Sequence, residues 1–128
     1  MVSATEAVRK ICEAWPSLSR EDLSALMTPD CVYLNMPMPH LRCTGPDEAY
    51  DMLAGMGSGW HITLSTKHFV ADGSVILTER HERFVSKSDP DKVVELHVMG
   101  VFECVDGKIA HWRDYFDSRE AAPLADQT

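Results

Sequence analysis

Hydrophobic residues in the first half of the chain recur every three or four positions, the spacing of one face of an α-helix. Three helices are predicted, over residues 4–15, 19–28 and 45–57. Ser19 is a candidate N-cap of the second helix, and Asp22 is placed to complete a capping box with it. Thr28-Pro29 is expected to end the second helix, and Gly57 the third.

From residue 60 onward the period changes to two, which predicts β-strands. Four strands are predicted over 61–70, 74–86, 93–105 and 108–117, and a shorter strand over 31–36 precedes the third helix. Asp-Gly pairs at 72–73 and 106–107 predict hairpin turns. The order indicates an α+β fold in which a curved, mixed and mostly antiparallel sheet packs on three N-terminal helices and forms a conical pocket.

The length of 128 residues suits one domain of ordinary size. A single domain is therefore predicted over residues 1–120. The segment 118–128 is rich in alanine and proline without a clear period, so residues 121–128 are expected to form a loose C-terminal tail.

Composition narrows the classes of partner. The net charge of −8 repels phosphate backbones, which argues against nucleic acid. Neither an apolar run of ~20 residues nor a signal-peptide pattern is found, so a cytoplasmic protein without membrane contact is expected. The four cysteines are scattered and are expected to be reduced, buried thiols. The six histidines lack metal-ligand spacing, so a structural metal site is not expected.

Charged residues on the predicted strands carry the strongest chemical signal. Strand alternation places Arg80 and Glu82 on one face of a strand. Asp114 shares its strand face with three apolar residues, Ala110, Trp112 and Phe116. Burial raises the pKa of a carboxyl group and a nearby guanidinium lowers it. Two acids and one arginine around a pocket would therefore divide into a protonated acid and an ionised base, the pair that hydrolysis of a strained ether needs.

Tyr33 and Asn35 share a face of the short predicted strand. Their polar groups both donate and accept hydrogen bonds, so together they would hold a water molecule in the same pocket.

Purely structural roles explain the same positions. Arg80 and Glu82 would form an exposed cross-strand ion pair, and Asp114 would be an edge-strand charge that opposes aggregation. Tyr33 and Asn35 would then only contact the proline-containing loop that follows them.

Several sequence blocks carry a resemblance to a known family. They are Tyr-Leu-Asn-Met-Pro-Met-Pro at 33–39, Leu-Thr-Glu-Arg-His-Glu at 77–82, Gly-Val-Phe-Glu at 100–103, Asp-Gly-Lys-Ile at 106–109 and Trp-Arg-Asp-Tyr-Phe-Asp at 112–117. These blocks are similar to those of the limonene-1,2-epoxide hydrolase family. The blocks keep the family's order and reach from the first helix to about residue 120. The resemblance implies a conical α+β fold, a homodimer, and epoxide opening in one step without metal or covalent intermediate.

The resemblance also implies a role for each candidate residue. Asp114 matches the general base that deprotonates the attacking water, and Tyr33 and Asn35 match the residues that position that water. Arg80 matches the arginine that bridges the two acids. Glu82 stands where the family has an aspartate as general acid, a departure that keeps the carboxyl but lengthens its arm by one methylene. The substrate is expected to contact Met36, Trp112 and Phe116.

The leading hypothesis is a cofactor-independent hydrolase that converts a small apolar epoxide, cyclic or terpene-like, into a vicinal diol. An isomerase or cyclase like ketosteroid isomerase is the first alternative, with Tyr33 and protonated Glu82 as an oxyanion hole. A small-molecule binding module without catalysis is the second alternative. In that case the replacement of the family's aspartate by Glu82 would indicate that the hydrolase activity has been lost.

Overall fold

The computed structural model describes residues 3–125 of the chain. The helices are α1 (Ala4–Ala14), α2 (Arg20–Leu26), α3 (Gly45–Gly59) and α4 (Ser118–Ala121), with single 3-10 turns at Trp15–Ser17, Pro39–Leu41 and Ala122–Ala125. The strands are β1 (Met27–Asn35), β2 (Cys43–Thr44), β3 (Trp60–Asp72), β4 (Val75–Ser86), β5 (Val93–Val105) and β6 (Lys108–Tyr115).

The six strands form one sheet in the order β2-β1-β6-β5-β4-β3. Only β1 and β6 are parallel; the other neighbouring pairs are antiparallel. Helices α1 and α3 pack against this sheet, and the predicted α+β class is confirmed. Over residues 3–125, every helix is too short or too polar to cross a bilayer.

The predicted helices are present, but two of their ends differ from expectation. The capping box at Ser19 and Asp22 is formed, with each side chain accepting from the other residue's backbone N–H. Helix α2 ends at Leu26, so Thr28 and Pro29 lie inside β1 rather than at a helix end. The reason is local, because a residue that precedes proline is disfavoured in the helical region.

Helix α3 continues through Gly57 to Gly59. The glycines with positive φ are at the turns and at the start of α3, among the described residues, and Gly57 is not one of them. It therefore keeps a helical backbone and does not terminate the helix.

The two predicted hairpin turns are confirmed. Asp106 and Gly107 both have positive φ, 52° and 81°, as a tight turn with right-handed strand twist requires. At the other turn Gly73 has φ 60°. Glycine adopts this backbone conformation without steric cost, so it suits the turns that join β3 to β4 and β5 to β6.

An irregularity in β6 changes one predicted face. The pairing of β5 with β6 shifts between Glu103 and Cys104, and Ile109 rather than Ala110 enters the core. The expectation that Ala110 shares the face of Trp112 and Asp114 is therefore wrong, because the bulge interrupts the alternation before Trp112.

The end of the described chain is ordered, which corrects the expectation of a loose segment from residue 118. Asp117 caps α4 by accepting the backbone N–H of Arg119, so β6 stops at Tyr115 rather than at residue 117. Ala121 and Leu124 are buried against the rest of the fold. The remainder of the predicted tail, residues 126–128, lies outside the described residues.

Candidate active site

Strands β4 and β6 bring three charged side chains together on the inner face of the sheet. Arg80, Glu82 and Asp114 are 3%, 6% and 5% exposed. Both strands are interior to the sheet, flanked on each side by another strand. The exposed ion pair and the edge-strand charge offered as structural explanations are thus both excluded.

Arg80 lies between the two carboxylates. Its Nη2 is 2.8 Å from Asp114 Oδ2, and its Nε is 3.3 Å from Glu82 Oε2. The N–H bonds of these nitrogens are poorly aligned with the carboxylate oxygens, so the contacts are ion pairs rather than well-formed hydrogen bonds. Two acidic groups thus share one cation in the buried site. The negative charge of one carboxylate opposes ionisation of the other.

Gly100 on β5 makes room for this arrangement, and the sequence analysis missed it. It pairs with Thr78 of β4 on one side and with Asp114 of β6 on the other. A Cβ at this position would lie 2.8 Å from Arg80 Nη1 and 2.9 Å from Asp114 Oδ1. The signal was a glycine in the interior of a long strand, which often marks a close approach.

Two tryptophan contacts orient the base candidate and its neighbour. The Trp112 indole N–H donates to Asp114 Oδ1 over 2.8 Å, so both carboxylate oxygens have partners. The Trp112 ring stacks on Tyr33 with centroids 3.9 Å apart. Trp112, expected only as a substrate contact, therefore also positions Asp114 and Tyr33.

Tyr33 and Asn35 lie beside these groups because β1 pairs with β6. Asn35 is opposite Asp114 and Tyr33 is opposite Trp112. The Tyr33 hydroxyl donates to Asn35 Oδ1 over 3.4 Å. Tyr33, Asn35 and Asp114 thus lie together in one small region of the inner face.

Burial and charge set the protonation of the acid and the phenol. Burial raises the pKa of Glu82, the Arg80 cation opposes this, and the Asp114 charge adds to it; the net direction is upward. Burial also raises the pKa of Tyr33 well above its usual value, so this residue is a neutral phenol. For Arg80, burial acts to lower the pKa, but the charges of Asp114 and Glu82 outweigh it and keep the guanidinium charged.

A cavity of about 190 Å³ opens above these groups. Its polar lining comes from Tyr33, Asn35, Glu82 and Asp114. The apolar lining comes from Trp15, Met38, Leu41, Met52, Leu53, Met56, Phe84, Leu96, Val98, Trp112, Phe116, Ala121, Leu124 and Ala125. The site is therefore an apolar pocket with its ionisable groups gathered in one place, a typical arrangement for a small-molecule site.

Two of the three predicted substrate contacts line this cavity. Trp112 and Phe116 do so, but Met36 does not. Met36 lies in the turn just after β1, where its backbone N–H donates to the backbone carbonyl oxygen of Asp114 over 2.9 Å. Met38, beyond the turn, takes the place expected for Met36.

Metal ligation has no candidate cluster in residues 3–125: histidine, cysteine and acidic side chains do not gather there in groups of three. The four cysteines are free and buried, as predicted.

Comparison with known proteins gives a consistent result. A family model described as the limonene-1,2-epoxide hydrolase catalytic domain matches residues 2–122. The epoxide hydrolase EphG of Mycobacterium tuberculosis (strain ATCC 25618 / H37Rv) is 34% identical over 111 residues, which cover 87% of this chain and 71% of that protein.

Solved structures extend the comparison to the fold. A limonene-epoxide-hydrolase-like epoxide hydrolase of M. tuberculosis matches with a TM-score of 0.77 and 29% identity, covering 94% of this chain and 87% of its own. A putative SnoaL-like polyketide cyclase from Jannaschia sp. CCS1 matches with a TM-score of 0.79 over 98% of this chain and 93% of its own. Its identity is only 14%, so it shares the fold alone.

Proposed function

Because the chain belongs to the limonene-1,2-epoxide hydrolase family, we propose that it adds water to a small apolar epoxide, cyclic or terpene-like, to give a vicinal diol. One observation carries the proposal: a buried arginine bridges two carboxylates at an otherwise apolar cavity, with a tyrosine and an asparagine beside one of them. An epoxide needs a base for water and an acid for its oxygen, and this arrangement supplies both.

Asp114 is the proposed general base. The attacking water donates one hydrogen bond to Asp114 and one to Asn35 Oδ1, and accepts one from the Tyr33 hydroxyl, which turns from Asn35 toward the water. The pairing of Asn35 with Asp114 and the neutral state of Tyr33 support this assignment. The remaining lone pair of the water is then free to attack an epoxide carbon.

Glu82 is the proposed general acid. As the water oxygen bonds to carbon, the epoxide C–O bond breaks and its oxygen takes the Glu82 proton, while Asp114 takes the proton of the water. The raised pKa of Glu82 supports this role, because a buried, protonated carboxyl is able to donate. The proton on Asp114 returns to Glu82 through solvent and completes the cycle.

Glutamate in place of the family's aspartate changes the reach of the acid. Its longer arm still leaves the carboxyl at the arginine, with Oε2 3.3 Å from Arg80 Nε. We expect Glu82→Asp to retain acid chemistry but to lower the rate by up to about a hundredfold, since reacting groups tolerate little displacement.

The proposed substrate class follows from the wall of the cavity. Most of its side chains are aliphatic, aromatic or thioether groups. The acidic residues that line it are Glu82 and Asp114, the proposed acid and base. The volume of about 190 Å³ is small beside the roughly 300–1,000 Å³ of common ligand pockets, which favours a small substrate.

The experiment is a single turnover of purified protein with limonene-1,2-epoxide or cyclohexene oxide in oxygen-18 water. Labelled diol in the first turnover is the expected result, because water attacks directly. An unlabelled first-turnover diol would overturn the direct mechanism. Exchange of deuterium into a cyclic ketone without diol formation would favour the isomerase, and tight ligand binding without turnover would favour the binding module.

The outer face of the sheet supports a homodimer, which we also propose. Exposed apolar side chains lie there on β4, β5 and β6: Leu77, Met99 and Tyr115. Met99 and Tyr115 are cross-strand neighbours, so the patch is continuous across strands. Light scattering is expected to give twice the chain mass, and the double variant Leu77→Glu, Met99→Glu to give the mass of one chain. An unchanged mass in the variant would place the interface elsewhere.

A cytoplasmic location is proposed from the four free, buried thiols, which suit a reducing compartment. Cell fractionation with antibody detection tests it, and recovery outside the cytoplasm would contradict it.

A further inference from the structure

Asn35 is held at both ends of its amide group, by different kinds of partner. Its Oδ1 accepts from the Tyr33 hydroxyl over 3.4 Å, and its Nδ2 donates to the Met52 sulfur over 3.5 Å. Met52 of α3 is partly buried against the core, so the contact connects this helix to the proposed water-holding residues of β1. In the proposed mechanism the attacking water takes over the first contact, and the second is left without a role.

An asparagine amide has two orientations of nearly the same shape that present opposite chemistry. With Oδ1 toward Tyr33 and the cavity, the amide accepts a hydrogen bond from water. In the flipped orientation the NH2 group faces the water, and the carbonyl oxygen faces the sulfur. A water beside Asp114 would then receive a hydrogen bond from Asn35, and its lone pair would be occupied instead of free for attack.

The thioether of Met52 discriminates between these orientations, because sulfur accepts a hydrogen bond but does not donate one. It is satisfied by the Nδ2 hydrogens and meets lone-pair repulsion from the carbonyl oxygen. A leucine at the same place would fill the space without preferring either orientation.

We propose that Met52 is a positioning residue that fixes the Asn35 amide with its oxygen toward the attacking water. This inference rests on the proposed epoxide hydrolysis. It concerns orientation of the water, so the effect of losing Met52 falls on kcat and is the same for small and large epoxides. A residue that only shapes the wall would change KM and would depend on the size of the substrate.

Three variants test the proposal with cyclohexene oxide and limonene-1,2-epoxide as substrates. Met52→Leu is expected to lower kcat by about three- to tenfold for both, the range of one modest hydrogen bond. Met52→Gln has similar length and offers a carbonyl acceptor, so it is expected to restore kcat. Met56→Leu, one helical turn further along the same cavity wall, is the matched comparison, and its effect is expected to differ between the two substrates.

The proposal is overturned if Met52→Leu keeps the full kcat, or if Met52→Gln falls as far as Met52→Leu. A loss that appears with only one of the two epoxides would also overturn it, since the role would then be that of a wall residue.

A second measurement does not depend on activity. The chain contains one asparagine and one glutamine, Gln127, so a nitrogen-15 NMR spectrum shows two side-chain carboxamide NH2 groups, and that of Asn35 is identified by its loss in Asn35→Asp. We expect Met52→Leu to shift the two Asn35 proton signals and Met56→Leu to leave them in place. Unmoved signals in Met52→Leu would overturn the contact. If the wild-type protein forms no diol, the proposed function fails, and this spectrum alone decides the role of Met52.

Discussion

At the scale of single residues, the two acids differ in what surrounds them. Asp114 Oδ1 accepts the indole N–H of Trp112, and its Oδ2 lies 2.8 Å from the Arg80 guanidinium, so each oxygen faces a group that attracts negative charge. Glu82 has the longer contact to Arg80 and faces the apolar cavity, where burial raises its pKa. The different surroundings support opposite roles for two chemically similar groups.

Asp114→Asn is expected to lower diol formation by about 10²- to 10⁴-fold, because an amide cannot take the proton of the water. Removal of the Asp114 charge lets Glu82, 3.3 Å from Arg80, ionise more easily and serve as its counter-ion, so the fold is expected to be retained. Single-turnover kinetics and circular dichroism measure the two effects. Full activity in Asp114→Asn would contradict the mechanism.

Gly100→Ala is expected to lower activity by about a hundredfold. The new Cβ would lie within 2.9 Å of Arg80 Nη1, Thr78 Oγ1 and Asp114 Oδ1, and at least one of them must move. Stability is also expected to fall, by about 1–3 kcal/mol for overpacking. Steady-state kinetics and urea denaturation provide the readout.

Gly55→Ala is the matched control for this substitution. Nothing lies within 4 Å of its added Cβ, and the residue is in a helix, where alanine is favoured. Equal effects of the two substitutions would show that Gly100 has no special place in the site.

At the scale of elements, the proposed catalytic groups and the cavity wall come from different parts of the chain. Strands β1, β4 and β6 carry the polar groups, and α3 with the C-terminal segment 118–125 supplies much of the apolar wall. Glu120 of α4 is joined to His97 of β5, with 3.1 Å between Oε2 and Nδ1. The segment is therefore attached at one side while Leu124 faces the cavity.

Truncation after Asp117 is expected to raise KM for apolar epoxides by about tenfold, since about 1–2 kcal/mol of apolar contact is lost. The polar groups remain on their strands, so kcat is expected to change less than KM. Initial-rate kinetics on both epoxides test this. A fall in kcat with unchanged KM would assign the segment a different role.

Ser19→Ala serves as the comparison for the truncation. It removes the N-cap of α2, a helix outside the cavity wall, and costs about 1 kcal/mol of stability. It is expected to lower the melting temperature by a few degrees without a change in KM.

At the scale of the whole molecule, the raised pKa of Glu82 affects the free energy of unfolding. The ordinary glutamate pKa is 4.5, and the folded value lies above it. Between the two values the folded state holds a proton that the unfolded state has released. The contribution of Glu82 to stability therefore decreases as pH rises from 4.5 through the folded pKa.

Glu82→Gln removes this titration. The difference in unfolding free energy between the wild type and the variant is expected to shift against the wild type as pH rises above 4.5. Urea denaturation of both proteins over a pH series measures it, and the shared titration of other groups cancels in the difference. Parallel pH profiles would contradict the raised pKa.

Local patterns were sufficient to predict most elements of the fold and the grouping of the site. Helical spacing, the Ser19 cap and the Asp-Gly turns are encoded in adjacent residues, and strand alternation alone placed Arg80 beside Glu82. The family resemblance then associated Asp114, Tyr33 and Asn35 with them. These predictions succeeded because each depends on residues near one another in the chain, or on blocks that a family keeps in order.

Tertiary structure alone decided the rest, because it depends on residues distant in sequence. The parallel pairing of β1 with β6 sets Asn35 beside Asp114, and the bulge in β6 exchanges Ala110 for Ile109 in the core. The close approach of Arg80 and Asp114 to Gly100 depends on the packing of β4, β5 and β6. The contact of Met52 with Asn35 depends on the packing of α3 against β1. Residues 118–125 are ordered because Ala121 and Leu124 find an apolar surface to cover, which no local pattern in that segment records.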